Sequence, residues 1–156
     1  MTDGFLVLGF GNALRTDDGV GWAAAERCAT DPRLEGATVM ARHQLTPELA
    51  LDVSRAAGVI FIDASRGPPA GTFTVGQLDP DGGGGTHSSH HVSPTSLVQL
   101  ALELYGRAPA VWLFSVGVES MEPGDRLSPV VEAAIPRLVD AVVALAAEAS
   151  AVPDHA

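Results

Sequence analysis

An apolar run, Leu6-Val7-Leu8, feeds into Gly9-Phe10-Gly11-Asn12 and then, within six residues, into the acid pair Asp17-Asp18. Glycines at 9 and 11 let the backbone turn sharply at the end of a buried strand, where a side chain would clash. Loops of this kind commonly cradle phosphate, but two carboxylates repel phosphate. At the carboxyl end of a central strand they suit a divalent cation or a proton transfer. This departure from a nucleotide loop constrains both the fold and the chemistry of the chain.

The pattern continues as alternating strands and helices. Residues 5–9 read as a strand covered on both faces, 20–28 as a helix and 37–41 as a second strand. Thr46-Pro47 has the form of a capping hydroxyl followed by proline at the first helical position, and predicts a helix there. Gly58-Val59-Ile60-Phe61-Ile62 is the most strand-like run and is expected to end on Asp63. Residues 73–77 suit an edge strand and 110–118 another buried one. Ser93-Pro94 opens a helix to about Tyr105, and Ser128-Pro129 opens the last helix, which Pro136 should kink or divide. The expected fold is a three-layer α/β/α sandwich on a mostly parallel sheet of about five strands. It forms one domain over 1–150, with 151–156 a frayed tail. Asp79 to Ser89, with four consecutive glycines, reads as a loop.

Composition excludes several functions. A net charge of −10 and pI near 4.7 disfavour nucleic acid or an anionic membrane as partner. The nine basic side chains are all arginines, so Schiff-base chemistry and a P-loop lysine are both ruled out. One cysteine, Cys28, cannot make an internal disulfide, and no signal-length apolar stretch is present; a cytoplasmic protein is the expectation. Cys28 falls on a core-facing stripe and reads as a structural thiol. No G-x-S-x-G, C-x-x-C or H-E-x-x-H motif occurs.

In such a fold ligands sit beyond the carboxyl ends of the strands. Three loops should meet there, carrying Asp17 and Asp18, then Asp63, then His87, His90 and His91. Two carboxylates and an imidazole would make a three-donor site for nickel or zinc with positions left open. One acid of the 17–18 pair would then merely favour the positive end of the following helix. His87 reads as plain loop sequence, His90 and His91 abut a helix start, and His155 in the tail has no expected role.

Taken in order, these segments resemble the hydrogenase maturation endopeptidases, which trim the C-terminus of the large subunit of [NiFe] hydrogenases. Gly9-Phe10-Gly11-Asn12 through Asp17-Asp18-Gly19 is similar to that family's opening signature. Val59 to Ala64 is similar to its central strand ending in Asp-Ala, and Ser89-His90-His91-Val92-Ser93-Pro94 to its histidine loop. Ser115 to Glu119 and Leu127-Ser128-Pro129 match its closing strand and last helix. The resemblance implies metal contacts, and with them the catalytic role, at Asp18, Asp63 and His91; counting back from Gly106 selects His91 over His90. It implies further that the nickel arrives on the precursor, with zinc or cadmium able to replace it in a crystal. The implied partner is the large-subunit precursor. Asn12, Asp17, His43 and His90 are secondary candidates for contact with that substrate. Many members carry Glu where Asp18 stands. Where some have Asp-Gly-Gly-Thr, this chain has Arg42-His43-Gln44-Leu45-Thr46-Pro47-Glu48-Leu49, like a subgroup with His-Gln-Leu-Thr-Pro-Glu-Leu. The client hydrogenase is therefore left open. Two other readings compete: a Rossmann-type dinucleotide module using Gly9, Gly11 and Arg42, and a non-catalytic nickel carrier or sensor.

Overall fold

Every residue of 59–62 is sealed from solvent, which places this strand at the centre of the molecule. The computed structural model describes residues 3–81 and 92–151. Five strands form one sheet: β1 (Phe5–Phe10), β2 (Thr38–Arg42), β3 (Gly58–Ser65), β4 (Phe73–Gln77) and β5 (Val111–Gly117). Their order is β2-β1-β3-β5-β4. All pairs are parallel except β4 against β5, so β4 is the antiparallel edge strand. The helices are α1 (Val20–Ala29), α2 (Leu49–Arg55), α3 (Pro94–Tyr105) and α4 (Pro129–Ala151).

Alternation of side chains along β1 and β3 divides the core in two. Phe5, Val7, Ile60 and Ile62 pack with α1 and α4 on one face, whereas Leu6, Leu8, Val59 and Phe61 pack with α2 and α3 on the other. The expected three-layer α/β/α sandwich with a mostly parallel sheet is the observed architecture.

The glycines of the opening loop are needed where α1 crosses the sheet. A Cβ on Gly9 would lie 1.9 Å from the Gly21 carbonyl oxygen, and one on Gly21 would lie 2.6 Å from that of Ile62. Helix and strand therefore touch backbone to backbone. Gly9→Ala is expected to force α1 off the sheet and lower the unfolding free energy by about 2–3 kcal/mol, the usual cost of overpacking. A urea melt with unchanged midpoint would contradict this close approach.

Three local expectations are corrected. Helix α2 starts at Leu49, not at Thr46-Pro47; those residues form the preceding turn, where Thr46 and Pro47 carbonyls accept from Leu49 and Ala50 N–H. Asp63 does not end β3, since pairing with β5 continues through Ser65. Pro136 does not divide α4, which runs unbroken for 23 residues because its apolar stripe packs on both sides of the proline (Val131, Ile135, Leu138, Val142). By contrast, Ser93 caps α3 as expected: its hydroxyl accepts from Ser96 N–H, and the helix closes on left-handed Gly106.

Candidate active site

The strand order creates a crevice between β1 and β3. From β1 the chain turns toward β2, and from β3 toward β5, so their following loops leave in opposite directions. At the carboxyl end of this pair lies an open cleft of about 390 Å³. Asp18 and Asp63 both line it, with Asn12, Arg15 and His43, and Val92 closes one side.

Asp18 is held by the loop that delivers it. Its Oδ2 accepts the Asn12 backbone N–H at 2.9 Å, while Asn12 Oδ1 accepts from Leu14 N–H at 2.9 Å. Gly11, at φ +145°, brings its backbone so near that a Cβ would lie 2.1 Å from the Asp18 carbonyl oxygen. In a dinucleotide fold the phosphate would receive these loop N–H groups. Here a carboxylate has taken that place, which disfavours the Rossmann alternative. Arg42 does not supply a phosphate grip in this arrangement either; its Nη1 donates to its neighbour's carbonyl, Ala41 O.

Asp63 sits two residues inside the end of β3, opposite Ser115 of β5. Burial pushes its carboxyl up to about 7; the Ala64 N–H opposes the shift and the nearby Asp18 charge adds to it. A buried carboxyl raised in this way, beside a second acid in one cleft, marks a candidate functional site.

Asp17 behaves quite differently. It is fully buried and is not among the cleft-lining side chains. Its carboxylate accepts N–H bonds from Glu119, Ser120 and Ser128, at 2.9, 3.0 and 2.7 Å, and the Ser128 hydroxyl bonds to both oxygens. Burial raises its pKa, but the Ser128, Glu119 and Ser120 bonds outweigh that and hold the carboxyl below its ordinary value. The Ser128 hydroxyl, which sequence reading assigned to opening α4, is turned to Asp17 instead. Around this staple Thr16, at φ +50°, donates its N–H to Gly124 O at 2.9 Å and its hydroxyl to Glu122 O at 2.5 Å. The strained residue is therefore pinned from both sides. The 119–128 segment is in this way clamped to the loop that presents Asp18.

Of the three-donor set, two members meet in the cleft. His91, with His87 and His90, lies outside the described residues, as does His155. Among the described residues no three His, Cys, Asp or Glu side chains come together to hold a metal ion. His43, exposed at the end of β2, stands on the cleft rim. Cys28 is buried under α4, where burial pushes its thiol up to about 12, as suits a structural thiol. Sequence reading passed over Arg15; the signal available was a cation three residues before Asp18 in an acidic chain.

No family model matches the chain, and no curated protein matches it by sequence. Solved structures do. The chain is similar to the hydrogenase maturating endopeptidase HybD from E. coli at 28% identity, with 92% of each chain covered and a TM-score of 0.76. It is similar to a hydrogenase 2 maturation peptidase from Thaumarchaeota archaeon SCGC_AB-539-E09 at 26% identity, with 90% of this chain and 96% of that one covered and a TM-score of 0.69. A [NiFe] hydrogenase maturation protease, HycI from Thermococcus kodakarensis KOD1, shares the fold at 19% identity, TM-score 0.73. Among the described residues no helix is long and apolar enough to cross a membrane. The resemblance read from ordered motifs thus holds in three dimensions: the chain has the fold of the hydrogenase maturation endopeptidases over nearly its whole length, and the activity those proteins are named for is a peptidase's.

Proposed function

We propose that this protein is a peptidase that removes the C-terminal extension of a nickel-loaded [NiFe] hydrogenase large-subunit precursor. Asp18 and Asp63 supply oxygen donors to the substrate's nickel, and His91 completes the set. The observation that carries this reading is the meeting of Asp18, from the loop after β1, and Asp63, from β3, in one open cleft. His91 is one residue from Val92, which borders that cleft.

Burial above all, with the nearby Asp18 charge added to it, makes the ionised form of Asp63 costly. A divalent cation offsets that cost and displaces the proton, so binding is coupled to proton release. A precursor without nickel offers these acids no cation, which makes cleavage conditional on metal insertion. Among the described residues no serine, threonine or cysteine lines the cleft, and we assign the attack on the scissile carbonyl to water. The scissile carbonyl can be polarised by the same nickel.

The test is to mix the purified protein with large-subunit precursor, with and without nickel, and weigh the products by mass spectrometry. Loss of the C-terminal extension only from nickel-loaded precursor is expected. An intact loaded precursor would overturn the proposal. Tight nickel binding by the isolated protein in that case would favour the carrier or sensor reading.

A further inference from the structure

Beyond the acid pair, one cation lines the cleft and a second, outside its lining, shares a contact residue with it. Arg15 lines the cleft, and its Nε donates to the Met121 carbonyl at 3.2 Å. Arg66 follows β3 by one residue, three residues from Asp63, and its Nη2 meets the same Met121 at Sδ, 3.6 Å away. Two guanidinium groups thus converge on one residue. Among the described residues the ion pairs join Arg33 to Asp31 and Asp140, and neither Arg15 nor Arg66 has a carboxylate within that range. The neighbouring acids of the clamped segment, Glu119, Glu122 and Asp125, do not pair with them. Nor do the two Nη nitrogens of Arg15 hydrogen-bond to any described residue.

A planar guanidinium with open donors is matched by a carboxylate. The Nε bond to Met121 restrains Arg15 while its two Nη nitrogens make no bond to a described residue, which reduces the side-chain entropy lost on binding. We propose that Arg15, on the cleft, and Arg66, which meets it at Met121, form a carboxylate-binding subsite that takes an anionic group of the peptide substrate. The subsite rests on the peptidase reading for the identity of its ligand. It gives a chain of net charge −10 a local means of holding an acidic peptide group that it would otherwise repel. The carboxylate can come from an Asp or Glu side chain of the precursor segment or from its C-terminus.

The experiment uses a fluorescein-labelled peptide spanning the cleavage region and C-terminal extension of the large-subunit precursor, titrated with the full-length protein and followed by anisotropy. Arg15→Gln and Arg66→Gln should each weaken binding, by up to roughly tenfold, with the salt dependence reduced. Arg15→Lys should recover part of the loss. Both side chains are exposed, so coincident melting curves serve as the folding control. In one arm the peptide is amidated at its C-terminus; in the other its acidic side chains are replaced by amides. The arm that lowers wild-type affinity to that of the double variant names the source of the carboxylate. Unchanged affinity in the double variant, or no binding of the peptide by the wild type, would overturn the subsite. Cleavage of loaded precursor is scored separately, so failure of the peptidase reading is distinguished from failure of the subsite.

Discussion

Asp63→Asn is expected to abolish cleavage of nickel-loaded precursor while making the protein more stable above neutral pH. Loss of an outer-shell partner already costs metal affinity about 10–100-fold, so removing a direct anionic donor should reduce cleavage by roughly 100-fold or more. Normal processing by the variant in the mass-spectrometric assay would sink the proposed site. The stability effect has the opposite sign. The folded protein raises this carboxyl from 3.8 to about 7, so the fold favours the protonated form. Its contribution to stability is complete below the unfolded value and is lost as pH rises through about 7. Asparagine never ionises and does not suffer that loss. A shift of this size corresponds to about 2–4 kcal/mol after allowance for partial exposure. Urea melts should show variant and wild type converging near the unfolded carboxylate pKa and diverging to a plateau above neutrality. A gap that did not change with pH would mean that Asp63 is not desolvated. The proposed function therefore entails a trade-off between activity and stability at Asp63.

Asp17→Ala is expected to have the largest structural effect of any single substitution in the loops. It removes an acceptor that satisfies three backbone N–H groups and a hydroxyl in a fully buried position. Leaving those donors unpaired should cost about 3–5 kcal/mol, or roughly 6–20 °C in melting temperature. Because the clamped segment also positions the loop of Asp18, cleavage should fall as well. Asp17→Asn, which keeps one acceptor oxygen, should be milder. The sign with pH follows from the lowered carboxyl. Its contribution is present above the unfolded value of 3.8 and disappears as pH falls through the lower folded one. The gap between wild type and Asp17→Ala should therefore narrow only in acid. A variant melting within 2 °C or so of wild type would show that water replaces the carboxylate at no cost.

The two neighbouring acids illustrate where sequence reading stops. Both stand in one motif, and the residues alone say only that one of the pair serves a helix end. The structure divides them on other grounds. Asp17 is turned inward onto Ser128, more than a hundred residues away along the chain, and Asp18 is turned outward beside Asp63. Ser128-Pro129 signalled a helix start correctly in position, yet the hydroxyl's partner is a distant carboxylate and not the helix end. Thr46-Pro47 carried the same local signature, but it makes the turn that leads into α2 at Leu49 and not the helix's own first turn. Such signatures report what a short segment prefers by itself. Long-range hydrogen bonds, worth as much as a cap, decide between equivalent local choices.

Legible in the residues alone were the alternation of buried strands and amphipathic helices, the glycines that let α1 lie on the sheet, and a carboxylate toward the carboxyl end of each of two strands. Those follow from hydrophobic burial and backbone sterics, which act over a few residues at a time. Only the tertiary structure decided that β1 and β3 are adjacent and that their loops diverge to open a cleft. It also set which acid enters that cleft, how far burial raises Asp63, and that two arginines meet at Met121. These depend on strand order and on distances between residues far apart in the chain, and a one-dimensional pattern carries neither.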